Sequence, residues 1–80
     1  MREKIITLTH VARDKKVVLV SIEAGWGMRR RLADIGLREG MLFTVLQAAI
    51  NGPCIIRLGN SRLAIGYGMA SRMLVKLVEN

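Results

Sequence analysis

Apolar and polar positions change places over short runs along this chain, and most runs have a period of two. Val18, Val20 and Ile22 alternate with Leu19, Ser21 and Glu23, which predicts a strand with one buried face. A second alternation sets Phe43 and Val45 on one side and Leu42, Thr44 and Leu46 on the other. Residues 53–58 and 62–66 read as two further strands joined at Gly59, Asn60 and Ser61, types that tolerate the positive φ of a hairpin turn. Asn51 and Gly52 mark another turn, and Pro53 opens the strand after it, where a missing N–H does least harm.

One segment, WGMRRRLADIG, departs from period two. Met28, Leu32 and Ile35 recur at i, i+4 and i+7 as a narrow apolar stripe, so a short amphipathic helix is predicted over 26–36. Arg30 and Asp34 stand on its opposite side at the i,i+4 spacing of an ion pair. Gly36 occupies the place of a left-handed C-terminal cap, with Leu37 free to fold back onto the helix. A shorter helical turn is expected from Gly68 to Met73, delivering Leu74–Val78 as the last strand.

Five to six short strands, one inserted amphipathic helix and a helical turn before the last strand make an all-β-dominated fold. In 80 residues this suggests a small closed barrel forming a single domain, 1–80, because closure removes sheet edges. Pattern alone leaves an SH3-like barrel and an OB-fold equally open.

Composition narrows the function. Hydrophobic residues make up 51% of the chain and the mean hydropathy is +0.31, which excludes a disordered polar chain. The longest unbroken apolar run, Val17–Val20, is far short of the ~20 residues that cross a bilayer, and the N-terminus has no apolar signal core. One cysteine, Cys54, makes no internal disulfide, so the expected location is cytoplasmic. Thirteen Lys and Arg against six Asp and Glu give a net charge of +7, which calls for an anionic partner of some kind.

Catalytic chemistry is not legible. The single imidazole, His10, and the single thiol, Cys54, offer a pair only if folding brings them together. Cys54 reads as a small core residue in the series Cys54, Ile56, Leu58. One histidine cannot supply the three or four ligands of a zinc site, so any metal would have to be held between molecules. Gly66–Gly68 lacks the Gly-Lys-Ser/Thr of a phosphate loop, and no cofactor-binding motif is present. The expectation is therefore no enzyme, no cofactor and no metal site.

What remains is surface. Arg29, Arg30 and Arg31 fan around the helix at 100° per residue, so at least one is displayed. Leu42 and Leu46, with Met41, are expected to point away from the interior as an exposed apolar strip. These five residues, Arg29, Arg30, Arg31, Leu42 and Leu46, form the predicted partner-binding surface. The other basic residues look spread along the chain rather than gathered on one strand face.

The stretches RRRLADIGLREG, FTVLQ and NGPCIIRLGNSRLAIGYGMASRMLV resemble the FeoA family, the ferrous iron transport protein A of bacterial iron uptake, over about residues 8 to 78. The most specific part is Arg31–Leu37 at a fixed spacing before Gly40; Gly52–Pro53 and Arg62–Ile65 then follow in family order. Two departures stand out. Glu39 takes the place of a usual proline, and Ala12–Lys16 fill a loop that often carries glycine. The resemblance implies an SH3-like barrel with an inserted helix, and a non-enzymatic cytoplasmic accessory docking on the GTP-binding cytosolic region of the FeoB transporter. It also extends to the SH3-like module of metal-responsive repressors, but residues 1–80 carry no DNA-binding region and such a regulator is not expected. A small nucleic-acid-binding barrel is the alternative, weakened by having only Trp26, Phe43 and Tyr67 as aromatics. Self-association through the apolar strip is a lesser possibility.

Overall fold

The computed structural model describes residues 4–50 and 52–78. Six strands form one antiparallel sheet: β1 (Ile5–Thr7), β2 (Lys16–Ile22), β3 (Leu42–Gln47), β4 (Cys54–Leu58), β5 (Ser61–Ile65) and β6 (Met73–Leu77). Their spatial order is β1-β6-β2-β3-β4-β5. A 3-10 turn, Leu8–His10, follows β1; helix α1 (Trp26–Asp34) joins β2 to β3, and the four-residue helix α2 (Tyr67–Ala70) precedes β6. The expected Asn51–Gly52 turn lies partly outside the described residues, since Asn51 is not among them.

Alternation along β3 is as predicted, with Phe43 and Val45 buried and Leu42 exposed. On β2 the phase changes midway. Val17 and Leu19 are the buried residues of its first half, yet Ile22 is buried in the second. The cause is a bulge: Leu19 pairs with Val75 and Ser21 with Leu74, so two steps on β2 match one on β6. Without the extra residue Ile22 would face solvent. A second bulge makes Leu46 the surplus residue between Val45, paired with Ile56, and Gln47, paired with Ile55.

The β4–β5 hairpin closes through Gly59 and Asn60, and only Gly59 of the two has a positive φ, at 61°. That matches a II′-type turn, whose first central position favours glycine. The inward faces of β2 to β6 share one apolar cluster with Leu8, Val11, Leu37, Ala49 and Ala70. No polar or charged residue among those described is buried with it.

The sheet does not close into the expected barrel. β1 and β5 are its edges and do not pair with each other among the described residues. The β1 edge is short, three residues, and Leu8 in the turn beyond it is fully buried; the β5 edge, five residues long, is the longer one.

Candidate docking surface

Helix α1 is the element that local rules favour least. Its Gly25 N-cap has no side-chain hydrogen bond, its first turn has no acid, and Gly27 lies inside it. At nine residues it is too short to be stable alone. Its C-terminus supplies the order. Gly36 has φ of 99°, its N–H donates to Ala33 C=O at 3.0 Å, and the Leu37 N–H reaches back to Leu32 C=O at 2.8 Å. This is the paired bonding of a Schellman cap, and Leu37, at 1% exposure, anchors it in the core.

The predicted apolar stripe is only partly used. Leu32 packs half-buried against the core, but Met28 and Ile35 are exposed. α1 buries none of its residues fully. The Arg30–Asp34 ion pair does not form either; the pairs among the described residues are Arg13–Asp14 and Arg29–Glu39. Arg30 instead turns back one helical turn and places its guanidinium 5.2 Å from the ring centre of Trp26. Basic-before-acidic is the weaker i,i+4 orientation, and a cation over an indole face is worth ~0.5–1 kcal/mol even at an exposed site.

Trp26 is 71% exposed, so the helix presents an indole–guanidinium plate to solvent. Beside it, Arg29 Nη2 reaches Glu39 Oε2 at 3.6 Å, and Arg38 Nε donates to Ala33 C=O at 3.4 Å. These contacts tie the turn before β3 to the helix. Between them opens a cleft of about 320 Å³ lined by Ile22, Arg29, Ala33, Leu37, Arg38 and Glu39. Apolar Ile22, Ala33 and Leu37 and charged Arg29, Arg38 and Glu39 share its lining.

The five predicted residues are therefore divided. Arg29, Arg30 and Arg31 are all exposed on α1, and Arg31 in the last turn complements the helix dipole. Leu42 is 51% exposed on the outward face of β3, away from the core side where Leu32 and Leu37 seat the helix. Leu46 is half-buried in its bulge. Trp26 was not singled out from sequence, although a tryptophan one turn before an arginine is a readable signal.

Strand register gathers cations that looked scattered. Lys16 pairs with Thr44, Thr44 with Arg57 and Arg57 with Arg62, so these side chains form one outward row across β2 to β5. The basic residues are not gathered on any one strand face, but register sets these three of the thirteen side by side across strands.

Elsewhere the chemistry is quiet. His10 Nδ1 lies 3.0 Å from Thr7 Oγ1 in an exposed local contact. The Cys54 thiol is fully buried, and that burial raises its pKa above the ordinary 9.0, so it is held protonated and unreactive. Among the described residues no three His, Cys, Asp or Glu side chains cluster as a metal group would require. No described helix is long and apolar enough to cross a membrane.

A family model for the FeoA domain matches residues 6–77. The chain belongs to the FeoA family. It is 35% identical over 65 residues to a protein of Methanocaldococcus jannaschii named Fe(2+) transport protein A, spanning 81% of this chain and 78% of that one. A crystal structure described as the iron uptake regulatory protein FeoA superposes with a TM-score of 0.84 at 33% identity, covering 94% of this chain and all of the other. A manganese-dependent transcriptional repressor shares the fold alone, with a TM-score of 0.81 at 18% identity over 98% of this chain and 44% of its own. The FeoA fold is SH3-like, here with the sheet left open. Two positions singled out from the sequence have a local account. Glu39 supplies the carboxylate for Arg29. In the first loop Asp14 takes the positive φ, 72°, that a glycine would accept freely.

Proposed function

We propose that the protein is a non-enzymatic cytoplasmic accessory of ferrous iron uptake. It docks on the cytosolic GTP-binding region of the FeoB transporter through the outer face of α1. Family membership and the relative named for Fe(2+) transport support the pathway. The observation that carries the docking is a helix without one fully buried residue that nevertheless displays a stacked Trp26 and Arg30. Trp and Arg are the residue types that most often dominate protein interfaces. Arg29, Arg31 and the cleft against Glu39 extend the same surface.

Titration calorimetry with the isolated cytosolic region of FeoB tests this. The wild-type chain is expected to associate at micromolar to tens-of-micromolar concentration, the range of transient partners. A folded Trp26→Ala, Arg30→Glu variant should bind at least tenfold more weakly. No association by the wild type would end the reading, and undiminished binding by the variant would place the surface elsewhere.

A further inference from the structure

The outward row of Lys16, Arg57 and Arg62 plays no part in that docking. All three are exposed, and none forms an ion pair among the described residues. Arg57 and Arg62 stand directly opposite each other, a like-charge cross-strand pair that costs stability. The next row on the same face runs Leu42, Val18, Lys76, Ile5, and its two end residues are 51% and 52% exposed. Cations therefore lie beside protruding aliphatic side chains on the face opposite the core, the core being the side on which Leu37 beyond α1 and Ala70 of α2 are buried.

We infer that this outward sheet face rests on an anionic lipid surface. A cation row flanked by aliphatics supplies the two weak signals, charge and apolar contact, that peripheral membrane binding combines. Nucleic acid fits less well, because no aromatic side chain is on this face to stack a base: Phe43 is buried, Trp26 is on α1 and Tyr67 on α2. A second copy would bring +7 against +7. The inference rests on the docking reading only in choosing a membrane as the anionic body. It leaves α1 on the core side, free to meet the transporter's cytosolic region.

The test is co-sedimentation of the full chain with vesicles of phosphatidylcholine alone or with one quarter phosphatidylglycerol, and no transporter is needed. The wild type should bind only the anionic vesicles, and added salt should release it. The variant Lys16→Gln, Arg57→Gln, Arg62→Gln should bind about 100-fold more weakly, roughly fivefold per charge. The control Arg30→Gln, Arg31→Gln, Arg38→Gln removes the same charge from the other side and should lose less than tenfold. Emission from Trp26, the single tryptophan, should not shift on binding. Equal losses in the two variants, a blue-shifted Trp26, or no vesicle binding would each overturn the proposal. So would row-dependent binding of a 20-nucleotide single strand in place of vesicles. Because the row variant should still dock on the FeoB region in solution, failure of either proposal is visible without the other.

Discussion

Strands β2, β3 and β6 hold Val17, Leu19, Phe43, Val45, Met73 and Val75 at 2% exposure or less, while Trp26 on α1 stands 71% exposed. The two regions are kept in shape by different forces. Burial holds the strands, each large apolar side chain contributing ~1.5–3 kcal/mol. The helix is held at its exit, by the Gly36 cap, the anchoring Leu37 and the half-buried Leu32 and Ala33, with its other residues left exposed. An element that adds so little to the core while carrying Trp26 and three arginines is better explained by what it presents than by what it supports.

Substitutions can separate the two regions. The largest effect is expected for Phe43→Ala, which should lose ~3–5 kcal/mol in urea unfolding, a large part of the stability of any small domain. Gly36→Ala should cost about 2 kcal/mol, because φ is 99° and a Cβ would meet Leu58 Cδ2 at 3.0 Å. Circular dichroism should show that this loss falls on the helix first. Leu32→Ala is expected to cost about 1 kcal/mol, less than the ~2–5 of a core truncation, since the side chain is only half-buried. Trp26→Ala should cost no more than the ~0.5–1 kcal/mol of its contact with Arg30 while weakening FeoB docking; a loss of stability well beyond that would make α1 a structural element after all. The smallest effect is a slope at alkaline pH. Folding raises the Cys54 pKa above its ordinary 9.0, so the protonated thiol favours the folded state. That contribution is complete below pH 9 and is lost as pH rises through the raised value. Cys54→Ala should remove this part of the decline in unfolding free energy above pH 9.

Much of the fold was legible because it depends on neighbours in sequence. Phe43 and Val45 alternate cleanly, Gly59 announces its turn, and Gly36 with Leu37 announces the cap. The phase change in β2 was not legible, since the bulge at Leu19–Ser21 is defined by the pairing with β6. The stripe of Met28, Leu32 and Ile35 identified a helical face but not whether anything would cover it. Arg30 had two partners one turn away, and spacing alone did not rank Trp26 above Asp34. The row of Lys16, Arg57 and Arg62 was invisible because it exists only through the register of four strands.

Hydrogen exchange on the 15N-labelled chain, with and without the cytosolic region of FeoB, addresses the docking claim most directly. Slowed exchange confined to residues 26–36 and the turn at 38–40, with β4 and β5 unchanged, is the expected result. Protection at Arg57 and Arg62 with α1 unaffected would contradict it, because the transporter would then be reading the sheet and not the helix.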